Sequence, residues 1–263
     1  MPFVSVGEVN LFYTDDGAGD PPLLFVHGYS CDSHDWSWQL PHFVGRHRVI
    51  AVDNRGHGRS SVPDSGYDHL DFAADLANLL ADLRCGPVVA IGHSLGGVIV
   101  STLAVEHPDL VTAVVSIDPG YLISDELSAG LAPMLEALES SDPIPIAQAI
   151  LGGTYTPASP AALRTWHMRR IAGTPVPVLR QTLKNLMQGM ALESVSAPYL
   201  ARRSCPVLAF YADPGRAAVE AALLTDGRSR VVSFEGSGHW LHQERPNEVN
   251  HIIDTWLATL AGC

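Results

Sequence analysis

The chain has 263 residues, enough to bury one large core, and 46% of them are hydrophobic while 17% are charged. These values are typical of a folded globular domain and exclude a disordered one. The formal net charge of -12 disfavours nucleic acid and acidic membrane surfaces as partners, because phosphate binding needs clustered Lys and Arg and the 16 basic residues are scattered.

The N-terminal sequence MPFVSVGEVN lacks a basic segment followed by an apolar one, and no apolar run approaches the roughly 18 residues that a membrane span needs. We therefore expect a cytoplasmic protein that does not bind a membrane. The cysteines show neither CxxC nor zinc-ligand spacing, so we expect reduced thiols and no metal site. They are Cys31, Cys85, Cys205 and Cys263.

The first predicted element is an antiparallel hairpin at residues 3–17, where polar and apolar residues alternate around Gly7. Six short apolar runs follow along the chain, and they read as parallel strands buried on both faces. The runs are LLFV, HRVIAV, PVVAI, LVTAVVSI, CPVLAFY and SRVVSF. Strands that alternate with helices predict an α/β sheet that binds ligands at the carboxyl ends of its strands.

Helical patterns are clearest at three places. Residues 96–107 are apolar almost all round, and a last helix is predicted to begin after Pro246. Residues 70–83 carry one apolar stripe, formed by Leu70, Ala73, Leu76, Leu80 and Leu83.

Residues 121–200 interrupt the alternation of strands and helices. They hold only helix-like segments, broken by SSDPIPI, TYTPASP and AGTPVPV. Because the stretch is too long for one crossover connection, we expect a helical cap over the strand ends rather than ordinary surface helices. The predicted domains are a core of residues 1–120 and 201–263 and a cap of residues 121–200.

The sequence GHSLG at residues 92–96 lies directly after the run PVVAI and opens a predicted helix. A sharp strand-to-helix turn strains the backbone of its central residue, and glycines two residues to each side keep side chains from colliding. Exposed N–H groups at a helix N-terminus also favour developing negative charge. Ser94 is therefore the candidate nucleophile, and the alternative is a glycine-rich turn with an incidental serine.

Four motifs in chain order resemble the landmarks of the α/β-hydrolase superfamily: HGYS after the third strand, DNRGHGRS after the fourth, GHSLG, and GSGHWLHQERP after the eighth. The resemblance covers essentially the whole chain. It implies an α/β-hydrolase fold, with a mostly parallel eight-stranded sheet flanked by helices and a helical cap inserted after strand 6. The first pair of strands would be antiparallel.

The resemblance also implies the groups that assist the serine. His239 matches the family's general base, which a serine hydroxyl needs before it becomes a good nucleophile. The backbone N–H groups of Tyr29 and Leu95 match the oxyanion hole. Of the other histidines, His242 is expected to start a helix, while His93 should point away from the hydroxyl and the histidine of RGHGRS should organise a loop.

The acid of the triad has two candidates. In most relatives it follows the seventh strand, but Asp213 stands two residues before that position in a short loop. Asp118 ends the sixth strand, a second position that some members use, such as haloalkane dehalogenases and some lactonases. We favour Asp118, and then expect Asp213, which precedes Pro214, to cap a helix.

A serine nucleophile implies acyl transfer without a cofactor, so the leading hypothesis is hydrolysis of a carboxylic ester or lactone of a mainly apolar or aromatic small molecule. The cap should set specificity. The candidate substrate-binding residues are Trp36, Tyr121, Met134, Trp166 and Met190, taken from a wider set that includes Tyr155 and His167.

Three alternatives stay open. The first is another enzyme with the same triad, either a carbon-carbon bond hydrolase or a perhydrolase. The second is a ligand receptor with a hydrolase fold that keeps the triad without turnover, and the third is an interaction module that has lost catalysis. In each case we expect a monomer or homodimer that binds a small molecule, with no metal, cofactor or nucleic acid.

Overall fold

One eight-stranded sheet forms the centre of the fold. A computed structural model describes residues 2–140 and 142–261. The strands are Phe3–Val6 (β1), Val9–Asp16 (β2), Leu23–Val26 (β3), Val49–Val52 (β4), Val88–His93 (β5), Val111–Ile117 (β6), Val207–Tyr211 (β7) and Arg230–Ser233 (β8). Their order is β1-β2-β4-β3-β5-β6-β7-β8. β2 runs antiparallel to β1 and β4, and the remaining pairs are parallel.

Helices flank this sheet. They are Leu40–Phe43 (α1), His69–Asp82 (α2), Leu95–Glu106 (α3), Asp125–Gly130 (α4), Ala132–Ser140 (α5), Pro143–Gly152 (α6), Ala161–Gly173 (α7), Val176–Met187 (α8), Glu193–Leu200 (α9), Pro214–Leu223 (α10), Leu241–Glu244 (α11) and Pro246–Ala261 (α12). The mostly parallel sheet with helices around it confirms the predicted fold class.

Strands β3, β4, β5 and β7 are buried along their whole length, as the continuous apolar runs predict. Successive side chains of β3 alternate between two hydrophobic clusters. Leu24 and Val26 join the cluster beside α2 and α3, whereas Leu23 and Phe25 join the cluster beside α12. A core on each face therefore holds the strand ends rigidly in register.

The helix predicted at residues 70–83 is α2, but its apolar stripe was partly wrong. Leu70 is 49% exposed, and Phe72 and Leu79 are buried instead. Residues two apart on a helix point about 200° from each other, so burial of Phe72 turns Leu70 towards solvent. Asp68 starts the helix by accepting the N–H of Leu70.

Between β6 and β7, the described residues form six helices, α4 to α9. Two ends of this region meet at an isolated parallel bridge between Ile123 and Leu192. We call residues 121–200 the helical segment.

Cys31, Cys85 and Cys205 are free thiols, as expected, and Cys263 lies outside the described residues. Within the described ranges, no helix combines the length and apolar character that crossing a membrane would require.

Candidate active site

Ser94 lies on the sharp turn from β5 to α3. Its backbone φ is 53° and ψ is -116°, a strained conformation for a residue with a side chain. A Cβ atom on Gly92 would collide with the carbonyl of Gly96, and one on Gly96 would collide with the carbonyl of Val26. The two glycines therefore let the turn close, and the sequence GHSLG forms the predicted sharp strand-to-helix turn.

Asp118 follows β6, the strand beside β5. The N–H of Ser94 donates to the carbonyl of Ile117 at 3.0 Å, and the N–H of Gly120 donates to the carbonyl of Ser94 at 3.0 Å. These bonds fix the two strand ends side by side. Asp118 itself has a φ of 38° and donates its N–H to Phe210 on β7 at 2.8 Å.

His239 lies in the loop between β8 and α11, and it reaches the carboxylate of Asp118. His239 Nδ1 is 2.6 Å from Asp118 Oδ2, and both side chains are largely buried. Burial alone would raise the pKa of Asp118. The hydrogen bond from His239, with the charges of His239 and Arg216, outweighs burial and lowers that pKa. Asp118 is therefore an ionised acceptor for the imidazole.

Asp213 takes the other role that the sequence predicts for it. It precedes α10 with an extended backbone, and its carboxylate accepts the N–H of Arg216 at 2.7 Å, with Pro214 at the first helical position. This geometry confirms the predicted N-cap.

The other histidines near the site are buried. The ring of His93 lies 4.6 Å from that of His239, and its Nε2 lies 3.0 Å from the carbonyl of His239. Burial, together with His242 and His239, holds the pKa of His93 well below its usual value. His242 lies in α11, and His57 orders its own loop by contacting the carbonyl of Arg55 at 2.9 Å.

The two expected oxyanion donors lie at a helix start and a loop. Leu95 is the first residue of α3, and Tyr29 lies in the loop after β3. Among the described residues, no acceptor is recorded for either backbone N–H. The hydroxyl of Tyr29 donates to the carbonyl of Leu179 at 2.8 Å and so ties this loop to α8.

The five candidate substrate-binding residues do not share one environment. Trp36 is fully buried against Phe25 and His242, at ring distances of 5.2 and 4.7 Å. Tyr121 is buried, and its hydroxyl accepts from Arg203 at 3.3 Å. Both occupy core positions. The sequence could not distinguish this role from substrate binding, because a large ring is equally suited to a core and to the wall of a binding site.

Met190 is also buried, whereas Met134 is half-buried and Trp166 is 57% exposed. In the described part of the chain, no recorded hydrogen bond or ring contact links these three side chains to Ser94 or His239. The role of all five in substrate binding stays a prediction.

From the wider set, Tyr155 and His167 do approach the site. Their rings stack on Trp240, the neighbour of His239, at 4.6 and 4.1 Å. The carbonyl of Thr154 accepts the N–H of His239 at 3.1 Å. The helical segment therefore contacts the loop that carries His239. The sequence gives no signal for Thr154, because its contribution is a backbone carbonyl.

Asp35, His93 and His242 form the one group in the described residues that could supply three metal ligands within 4.8 Å of one another. All three are buried. However, the guanidinium of Arg170 pairs with the carboxylate of Asp35 and lowers its pKa against the opposing effect of burial. That cation already balances the carboxylate, so we assign no metal to the cluster.

Comparison with known proteins gives a family match. Residues 23–252 match the model of the alpha/beta hydrolase family. The 2-(acetamidomethylene)succinate hydrolase of Mesorhizobium japonicum is 30% identical over 261 residues, which cover 97% of this chain and 94% of that protein. A non-heme haloperoxidase of Rhodococcus erythropolis is 44% identical over 109 residues, which cover 41% of this chain and 39% of that protein.

Solved structures have the same architecture. An N-acyl homoserine lactone degrading enzyme superimposes with a TM-score of 0.84 at 23% identity, covering 97% of this chain and 99% of that one. An esterase from Exiguobacterium antarcticum gives a TM-score of 0.82 at 18% identity, covering 95% and 96%. At these identities the likeness shows the fold alone.

Proposed function

The chain belongs to the alpha/beta hydrolase family, and from this premise we propose that it is a serine hydrolase acting on a carboxylic ester or lactone through an acyl-enzyme on Ser94. The observation that carries the proposal is the 2.6 Å contact between His239 and Asp118 beside the strained turn of Ser94. A nucleophile, a base and an acid are the three groups that acyl transfer by a serine requires.

In the proposed mechanism, the Asp118 carboxylate accepts a hydrogen bond from the Nδ1–H of His239, which leaves Nε2 unprotonated and able to act as the base. Nε2 takes the proton of the Ser94 hydroxyl as Oγ attacks the substrate carbonyl carbon. The resulting imidazolium then protonates the leaving oxygen as its bond to the carbonyl carbon breaks. A water molecule, deprotonated by the same nitrogen, attacks the acyl-enzyme. The bond from the acyl carbon to Ser94 Oγ then breaks, and the imidazolium returns the proton to Oγ as the acid is released.

The tetrahedral intermediates carry a negative oxygen. The N–H groups of Leu95 and Tyr29 are the donors that we propose for it, and each well-placed donor contributes about 3 to 4 kcal/mol to transition-state stabilisation. The start of α3 adds its partial positive charge at the same place.

We propose that the helical segment is a cap and that the substrate is mainly apolar or aromatic. Thr154, Tyr155 and His167 contact the loop of His239 and its neighbour Trp240. Two of the arginines close to this region are paired with carboxylates, Arg170 with Asp35 and Arg216 with Asp118. A neutral acyl compound fits such surroundings better than a charged one, because burying an unpaired charge is costly.

Perhydrolysis is the second candidate, and the partial similarity to a haloperoxidase favours it. Hydrogen peroxide would replace water in the attack on the acyl-enzyme and release a peracid. Incubation with acetate, hydrogen peroxide and bromide would then brominate an indicator dye. If the protein hydrolyses esters but does not brominate the dye, perhydrolysis is rejected and ester hydrolysis remains the proposed activity.

The decisive experiment is Ser94→Ala, assayed on p-nitrophenyl acetate and butyrate and on a panel of lactones. We expect kcat to fall at least about 10³-fold, because no other group replaces the nucleophile. Ser5→Ala is the matched control, since Ser5 is exposed on β1 and should leave the rate unchanged. Full activity of the Ser94 variant would refute the proposed function.

A further inference from the structure

The carboxylate of Asp118 has contacts on both of its oxygens. Oδ2 faces His239, and Oδ1 faces the junction between β7 and α10. There the N–H of Ala212 donates to Oδ1 at 3.3 Å, and Arg216 Nη1 lies 3.4 Å from the same atom. The acid is therefore held from the side opposite to the imidazole.

Arg216 also donates hydrogen bonds to the backbone that follows Asp118. Its Nη2 donates to the carbonyls of Pro119 and Tyr121, the second at 2.9 Å, and its Nε lies 3.3 Å from the carbonyl of Tyr121. The guanidinium lies 5.0 Å from the ring centroid of Tyr211. A planar fork with several donors suits this bridging role, which a lysine would not reproduce.

The position of Arg216 depends on the cap that Asp213 makes. Asp213 accepts the N–H of Arg216 at 2.7 Å and so fixes the first turn of α10. The segment after β7, where the family resemblance places the usual acid, here presents a cation to an acid on the neighbouring strand.

We propose that Arg216 is a positioning residue of the triad: it holds Asp118 Oδ1 so that Oδ2 faces His239, and its charge offsets part of the negative charge that the imidazole meets. The inference rests on the proposed function. It adds to that function a residue outside the three reacting groups and both oxyanion donors.

Other titratable groups around the pair come from three elements. They are His93 at the end of β5, His167 on α7, and His242 and Glu244 on α11. Glu244 accepts the N–H of Gly238, the residue before His239, at 2.7 Å. Burial lowers the pKa of each of these histidines, to about 4 for His167 and about 3 for His242, so the three histidines are neutral at neutral pH. Arg216 supplies the permanent positive charge that faces Asp118.

The charge of Arg216 should affect the pH dependence of the reaction, which a purely structural side chain would not do. A nearby cation disfavours the protonated imidazole, so its removal should favour protonation. In Arg216→Gln the acid limb of the kcat/KM profile should move to higher pH by about 0.5 to 1 unit, as expected for a charge partly screened by solvent. We also expect kcat at pH 8 to fall about 10-fold with KM changed less than about twofold, because the carboxylate is less well oriented.

Arg216→Lys separates charge from geometry. It keeps the cation, so the acid limb should stay within about 0.2 units of wild type, while kcat should still fall because the fork of donors is lost. Arg46→Gln is the control: it removes an exposed cation that pairs with Asp254 on α12. Its profile should match wild type.

The measurements use the whole protein with p-nitrophenyl acetate between pH 5 and pH 9, and thermal unfolding verifies that each variant folds. An acid limb of Arg216→Gln that coincides with wild type overturns the proposal, whatever happens to kcat. Should that variant not fold, Arg216→Lys decides, because an unchanged kcat would overturn the positioning role. Ser94→Ala distinguishes failure of the Arg216 proposal from failure of the proposed function, since the activity of this variant tests the proposed function alone.

Discussion

Backbone conformation separates Asp118 from Asp213 at the scale of single residues. Asp118 has a positive φ of 38°, which is strained for a non-glycine residue, and three elements of the chain contact its carboxylate or backbone. Asp213 has an extended backbone typical of an N-cap and bonds only one turn of its own helix among its recorded contacts. Strain maintained by surrounding contacts is common at functional sites.

Two substitutions test this difference. Asp118→Asn should lower kcat for ester hydrolysis by about 10³- to 10⁴-fold, because an amide stabilises the wrong imidazole tautomer. Asp213→Asn should retain activity and stability, since Asn is as good an N-cap as Asp. Steady-state kinetics on p-nitrophenyl acetate measures both. Inactive Asp213→Asn with active Asp118→Asn would transfer the role of the acid to Asp213.

Residues with a local signature could be predicted from the sequence. Ser94 stands between glycines after a strand, and Asp213 stands before Pro214, so the neighbours alone indicate each conformation. Arg216 and Thr154 could not be predicted, because their contacts with Asp118 and His239 join positions far apart in the chain. The ring of Trp36 could not be assigned to core or pocket by composition.

At the scale of elements, the end of the helical segment is joined to α10 by a buried ion pair. Arg203 follows α9, and its Nη2 lies 2.5 Å from Glu220 Oε1 on α10. The hydroxyl of Tyr211 on β7 donates to the second carboxylate oxygen at 2.9 Å. Both charged side chains are almost fully buried.

Removing one partner of this ion pair should therefore destabilise the fold. Glu220→Ala leaves the Arg203 guanidinium buried without its carboxylate, and we expect the free energy of unfolding to fall by about 3 to 5 kcal/mol. Urea denaturation followed by far-UV circular dichroism measures the loss. Glu8→Ala, at an exposed site beside β2, should change stability by less than about 0.5 kcal/mol. Equal stabilities of the two variants would contradict the prediction.

Sequence periodicity predicted the positions of strands and helices better than it predicted the contacts between them. The apolar runs located the parallel strands because burial on both faces requires continuous hydrophobic residues. The stripe on α2 was misplaced at Leu70, since several faces of a leucine-rich helix satisfy the same spacing. Helices were expected in residues 121–200, but how they meet the loop of His239 depends on tertiary packing.

At the scale of the whole molecule, buried histidines should make stability depend on pH. Burial lowers the pKa of His57 and of His242 to about 3 and that of His167 to about 4. In the unfolded chain a histidine titrates near about 6.5. Below that pH the unfolded state binds more protons than the folded state, so stability is lost as pH falls from about 6.5 towards 4.

We expect each of these histidines to lower the free energy of unfolding by about 2 kcal/mol when the pH falls from 7.5 to 5. Urea unfolding at both pH values measures the change. His167→Gln should reduce the difference, whereas His251→Gln at an exposed site should not. A free energy of unfolding that is equal at pH 5 and pH 7.5 would show that these side chains do not titrate on unfolding.

The stack of Tyr155, His167 and Trp240 has an optical consequence. The indole of Trp240 is 2% exposed, and its neighbours are an imidazole and a phenol that belong to the helical segment. Any separation of that segment from the loop of His239 must unstack the indole and admit water. The emission of this tryptophan, obtained as the difference between wild type and Trp240→Phe, should then shift to longer wavelength. The fluorophore would thus report access to the proposed triad.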